Sequence, residues 1–187
     1  MAKNILICGV GGQGTVLAAK IISQAAVSSG KKVLSAETIG MAQRGGSVVS
    51  HVRIGDDAFS PLISTGQADV IIAFEAAEAV RNLPYLKKDG MVIVNQKVVQ
   101  PVTASLTGKS FSEDEMLNAL KKSTKNVIPV DTEAACRELK SAKVVNVLLL
   151  GAACKEELFD YAEIERALSL LVKPAFYELN LKALHFV

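Results

Sequence analysis

Strand-like and helix-like segments alternate along this chain. That alternation predicts an α/β fold: one domain with a doubly wound, mostly parallel, Rossmann-like sheet and a helical C-terminal part. Three observations carry the prediction. The runs Asn4–Cys8, Ala68–Phe74 and Met91–Asn95 are almost continuously apolar, the pattern of strands covered on both faces. Segments with apolar residues at helical spacing separate them. The length, 187 residues of which 50% are hydrophobic, suits a single core spanning 1–187.

Asn4–Cys8 reads as the first strand, closed by glycines. From Thr15 to Ser28, the residues Leu17, Ala18, Ile21, Ile22, Ala25 and Ala26 recur at helical spacing, and Gly30 supplies a stop. Lys32–Ala36 is the second strand, so the opening has the size of a βαβ unit with a right-handed crossover. Gly40, Gly45 and Gly46 break the next stretch; Val48–Ile54 then alternates as a strand with one wet face would. After the buried strand Ala68–Phe74 come a helix near Glu75–Asn82, a turn at LPYLKKDG and the strand Met91–Asn95. Gln96–Ser110 reads as a long surface connection. A helix follows, capped by Ser112, with Glu113, Asp114 and Glu115 in its positive first turn. NVIPVD is the last strand, and the remainder to Val187 is helical by period, Pro174 opening the final helix.

Composition excludes several function classes. Lys and Arg exceed Asp and Glu by 21 to 19, which argues against nucleic-acid binding through bulk positive charge. With no Trp, three Tyr and six Phe, a base-stacking surface is not expected. Cys8, Cys136 and Cys154 are scattered and odd in number, and the only histidines are His51 and His185. No disulfide framework, zinc site or iron–sulfur site is expected, and the thiols read as reduced. The longest nearly apolar stretch, VVNVLLLGAAC, is shorter than the ~20 residues a bilayer takes. The expectation is a cytoplasmic protein without a membrane partner.

The chemistry-bearing motif is Gly9-Val10-Gly11-Gly12-Gln13-Gly14, a G-x-G-x-x-G between a strand and a helix. Glycines permit positive φ and close backbone approach, and a helix start attracts an anion. A tight strand-to-helix turn needs glycine even without a ligand, so both readings stand. Glu37 lies 23 residues beyond Gly14, where a NAD-binding protein places its ribose-binding carboxylate. A NAD-linked reductase is therefore one alternative, and a stand-alone nucleotide- or CoA-binding module another. Gln43-Arg44-Gly45-Gly46 follows the second strand, on the sheet edge of the glycine loop; it can present a guanidinium to a carboxylate or phosphate, or be a solvated loop.

Taken in order, GVGGQGTVLAAKII, ETIGMAQRGGSVVSHVRIG, ADVIIAFEAAEA and LPYLKKDGMVIVN resemble the gamma subunits of 2-oxoacid:ferredoxin oxidoreductases. The wording GMAQRGG is most similar to the small beta subunit of the indolepyruvate type. This resemblance implies a subunit of an enzyme that oxidatively decarboxylates a 2-oxo acid to an acyl-CoA and reduces ferredoxin, inactive without its partner. It implies that thiamine diphosphate, Mg²⁺ and [4Fe–4S] clusters reside on a larger partner subunit, with CoA as co-substrate. The positions it marks are Gly9, Gly11, Gly12, Gln13 and Gly14, then Arg44, Gly45 and Gly46, with Gln13 and Arg44 as assisting residues facing thiamine or CoA phosphates.

Other residues read as structural first. Arg53 suits a carboxylate pair or subunit interface, and His51, on the same strand face, a hydrogen-bonded structural role. Glu75 stands at a strand end, open to a ligand role or to stabilising a helix dipole. Asn146 interrupts an apolar run and needs buried partners. Cys8 reads as an inert thiol, and Leu168, Leu171, Val172 and Phe176 as core or interface.

Overall fold

The computed structural model describes residues 2–39, 45–100 and 111–187. Its six strands are β1 (Lys3–Val10), β2 (Val33–Ile39), β3 (Ser47–Ile54), β4 (Ala68–Ala73), β5 (Leu86–Asn95) and β6 (Val127–Val130). They form one sheet in the order β2-β3-β1-β4-β5-β6. The pairs β1–β4, β4–β5 and β5–β6 are parallel, whereas β3 runs antiparallel between β1 and β2. The helices are α1 (Thr15–Ser28), α2 (Ala76–Asn82), α3 (Glu113–Ser123), α4 (Thr132–Glu138), α5 (Val145–Lys155), α6 (Tyr161–Leu171) and α7 (Pro174–Leu184).

The apolar strands divide their side chains between two cores. Ile5 and Ile7 of β1, Val70 and Ile72 of β4 and Ile93 of β5 point to the face covered by α1, α5, α6 and α7. Leu6, Cys8, Ile71, Ala73, Val92 and Val94 point to the opposite face, beneath α2 and α3. Period-two alternation of apolar with apolar is what a doubly covered sheet demands, and the doubly wound expectation holds. Ser112 and Glu115 form the capping box of α3, and Pro174 opens α7.

Three expectations are corrected. First, β1 and β2 run in the same direction but are not neighbours: β3 folds back between them, so the opening unit is a split βαβ. A continuous apolar strand and a glycine turn carry no information about which later strand inserts. Second, β3 has no wet face along its middle, because it is an interior strand: Ser50, His51 and Val52 are all buried. Third, only Leu83–Tyr85 form a turn, a single 3₁₀ turn with Pro84; β5 already starts at Leu86. Of the predicted connection Gln96–Ser110, residues 101–110 lie outside the described residues.

His51 sits on the α2–α3 face, where its Nδ1 accepts the Ile63 N–H at 3.2 Å and its ring meets Tyr85 edge-on at 5.9 Å. Burial holds its pKa below the ordinary histidine value. Below about pH 6.5 the unfolded chain gains a proton there that the folded chain refuses, so stability declines with acidification. A single proton bounds the slope at about 1.4 kcal/mol per pH unit. Urea midpoints between pH 7 and 5 are expected to fall less in His51→Gln, which keeps an acceptor but does not titrate.

Candidate functional site

The carboxyl ends of the parallel strands gather the glycine loops. After β1 the chain moves toward β3 and β2, whereas after β4 it moves toward β5 and β6, so the sheet's switch point lies between β1 and β4. The Phe74 N–H donates to the Cys8 carbonyl at 2.8 Å and closes the sheet at that point. Just beyond it, Gly12 and Gly14 take φ of 101° and 92°, conformations that side chains resist, and Gly14 is the residue from which α1 starts. No side chain caps α1, so its first-turn N–H groups have no side-chain acceptor.

Gln13 closes the turn itself. Its Oε1 accepts the Val10 N–H at 2.7 Å, while its own N–H donates to the Val10 carbonyl at 3.2 Å. The folded-back side chain lies over Gly9: a Cβ there would stand 2.7 Å from Gln13 Oε1 and 2.8 Å from Phe74 Cβ. Thus Gly9 is required by packing, and the Gln13 oxygen is committed to the backbone; its amide nitrogen is the part left for a ligand.

The second loop meets the first directly. The Gly11 N–H donates to the Gly46 carbonyl at 2.8 Å and the Gly45 N–H to the Gly11 carbonyl at 3.4 Å. Arg44 and Gln43 lie outside the described residues. Ser47, at the foot of this loop, donates its hydroxyl to Glu78 Oε2 at 2.6 Å, and Glu78 pairs with Arg81 at 2.8 Å. Glu75 proves to be a helix cap: Oε2 accepts the Glu78 N–H at 2.7 Å and Oε1 the Val99 N–H at 3.0 Å. It is 1% exposed, so no ligand reaches it from solvent. The Cys8 thiol, fully buried and beside Glu78 and Glu75, is pushed far up and is inert.

Two sequence candidates fall away from this edge. Arg53 pairs in register with Asn4 at the opposite end of β1 and donates to Asn4 Oδ1 at 2.9 Å and the Ser60 carbonyl at 2.9 Å. Glu37 is on the edge strand β2, separated from β1 by all of β3 and hence by about 10 Å of sheet. A ribose carboxylate belongs on the strand next to the glycine loop, so this spacing removes the feature that suggested NAD.

The glycine loop instead forms one wall of a cleft of about 780 Å³. The opposite wall runs from α4 to the start of α5 and carries Arg137, Lys140, Lys143 and Asn146, with Lys97 at the rim. Glu133 offsets part of this charge, standing 3.6 Å from Lys97 and 3.9 Å from Arg137. Asn146 is 4% exposed, packs against Gly14 and has an Oδ1 with no hydrogen-bond partner. The basic wall was not anticipated. Ser141 preceding an apolar run does signal a helix start, but nothing local states that this start faces Gly14. Among the described residues no cluster of His, Cys, Asp and Glu could hold a metal ion, and no helix is long and apolar enough to cross a membrane.

The pyruvate ferredoxin/flavodoxin oxidoreductase family model matches residues 4–185. The chain belongs to that family. It is 42% identical to the indolepyruvate oxidoreductase subunit IorB of Archaeoglobus fulgidus, over 98% of this chain and 92% of the relative. It is 30% identical to the common gamma subunit of the pyruvate/ketoisovalerate oxidoreductases of Pyrococcus abyssi, over 94% of this chain and 89% of that one. Its fold is similar to the PORC subunit of pyruvate oxidoreductase from Thermotoga maritima, with a TM-score of 0.72 and 24% identity over 99% of this chain and 94% of that one. The resemblance drawn from GxGGQG and RGG is therefore sound, and this is a gamma/IorB-type subunit of a 2-oxoacid oxidoreductase.

The packing at Gly9 is directly testable. Gly9→Ala forces Phe74 and Gln13 apart and is expected to destabilise the chain by about 1–3 kcal/mol in urea unfolding.

Proposed function

We propose that residues 1–187 form one gamma-type domain of a heteromeric 2-oxoacid:ferredoxin oxidoreductase of the arylpyruvate class, indolepyruvate being the substrate to try first. The complete reaction consumes a 2-oxo acid, CoA and two oxidised ferredoxins. It yields an acyl-CoA, CO₂, a proton and two reduced ferredoxins. The IorB relatives support the substrate class.

Thiamine diphosphate with Mg²⁺ supplies the electron sink and iron–sulfur clusters the way out, both on a larger partner subunit. The donor set here does not suit either group: Cys8 and Cys154 are buried and far apart in sequence, and the carboxylates at the candidate site serve as a helix cap and a loop anchor. On this reading the chain contributes binding and orientation, works in the cytoplasm, and is inactive alone.

The observation that carries the reading is the pair of hydrogen-bonded glycine loops at the switch point, opening onto a basic cleft beside an uncapped helix start. Backbone N–H groups, the α1 dipole and nearby cations suit the phosphates of CoA. Gly11, Gly12 and Gly14 bring backbone close to the ligand, Gly9 makes room for the folded-back Gln13 side chain, Gln13 offers an amide N–H, and Arg44, which precedes Gly45 and Gly46 in sequence, is the assisting residue for CoA or the partner's thiamine pocket.

The test is the complex copurified through this chain. Arg44→Ala is expected to raise the KM for CoA about 10- to 100-fold, the worth of ~1.5–3 kcal/mol for a charge-assisted hydrogen bond. Unchanged KM values for both CoA and the 2-oxo acid remove Arg44 from either role. Turnover of a 2-oxo acid by the isolated chain overturns the subunit reading.

A further inference from the structure

The two edges of the sheet are built differently. At one edge, β6 has only four residues and carries the exposed Pro129, which has no N–H to offer a further strand. At the other edge, β2 has seven residues, Val33–Ile39, with neither proline nor lysine among them. Its register with β3 runs without a bulge, and its outer row of N–H and C=O groups has no strand partner among the described residues. Short length, proline, lysine and bulges are the devices that keep an edge unpaired, and β2 has none of them.

The flank of α1 adds apolar surface beside this edge. A groove of about 260 Å³ separates α1 from β2, with Val27, Leu171, Ser35 and Glu37 in its lining. Val27 is 56% exposed, and Leu170, next to Leu171, is 63% exposed. Charge along the edge has opposite signs at its two ends. Glu37, near the C-terminal end of β2, is exposed and has no partner among the described residues. Lys31 precedes the strand on the same face, 3.8 Å from Glu163 of α6 in a loose, largely exposed pair. A strand that is positive before it starts and negative as it ends complements its own antiparallel copy.

We infer that two copies of this chain join through their β2 edges, antiparallel about a two-fold axis that passes through Leu34 perpendicular to the sheet. In this register Leu34 meets its own counterpart, Val33 meets Ser35, and Lys31 meets Glu37 once on each side of the axis. A shift of two residues parts these charges, and a shift of one sets opposite faces of the strand together. The two grooves then face each other across the joined strands, and Val27 and Leu171 of both copies leave water together. The pairing is independent of the CoA reading and brings two copies of this chain into one oxidoreductase complex.

The experiment is oxidative cross-linking of Leu34→Cys, in the full chain and in the complex copurified through it, joined to sedimentation equilibrium of the full chain. Leu34→Cys is expected to link two copies of the chain. Glu37→Cys is expected to do so at less than about a tenth of that yield, because its counterparts lie about 20 Å apart along the joined strands. Glu37→Lys sets like charges opposite each other and is expected to raise the dimer dissociation constant about 10-fold or more. Adding Lys31→Glu is expected to restore it to within about 3-fold. Both positions are exposed, so the fold survives these changes, which circular dichroism verifies. A chain that is monomeric alone but cross-links at Leu34 within the complex supports the pairing there. Absence of the Leu34 cross-link from both chain and complex overturns it, as when another subunit occupies the edge. Equal yields from Leu34→Cys and Glu37→Cys, or a dimer indifferent to Glu37→Lys, overturn it too. The subunit reading survives each of these failures.

Discussion

The hydrogen bond from the Gly11 amide to the Gly46 carbonyl is the contact on which this molecule's candidate site depends. It joins two loops that are more than thirty residues apart, and it is possible only because β3 lies in the sheet between β1 and β2. Pairing β1 with β3 in the register Val10↔Ser47 brings the loop that leaves β1 beside the loop that enters β3. Were β2 the neighbour of β1, as in an unsplit βαβ unit, the loops would be separated by a strand's width. The inserted antiparallel strand is thus the device that assembles the site.

Buried polar groups concentrate at this same edge. Glu75 caps α2 and holds the Val99 amide, Glu78 anchors Ser47, and Asn95 links the Phe74 carbonyl to the Thr132 hydroxyl. Each has partners, as burial requires, and each ties a loop to the rigid sheet. The sheet's interior between the two helical layers is almost purely apolar. Polar atoms are therefore spent where loops need fixed positions, and a site built from backbone N–H groups keeps its shape before a ligand arrives. Asn146 breaks the rule: it stands at this edge, buried, with one oxygen still unmatched.

Charge follows a similar division. Overall the chain is nearly neutral, with a formal net charge of +2, yet the cleft gathers cations from three separate segments: the end of β5, α4, and the turn into α5. A whole-chain balance cannot register such a local field, which explains how composition excluded nucleic acid while leaving room for a small anion.

Much of this was legible in the residues. The apolar runs specified strands covered on both faces because a side-chain period of two, apolar at every step, has no other soluble solution. Ser112 with Glu115, Pro174 and the glycines at 9, 11 and 14 marked their elements because caps and turns are local events, decided by a residue and its near neighbours. Glu75 and Arg53 were readable only as alternatives, since each choice turned on what lay across the sheet. The insertion of β3, the contact of Gly11 with Gly46 and the approach of Lys140, Lys143 and Asn146 to the glycine loop belong to tertiary structure alone. They are pairings between distant segments, and hydrophobic pattern dictates that a strand be covered without dictating which strand lies beside it.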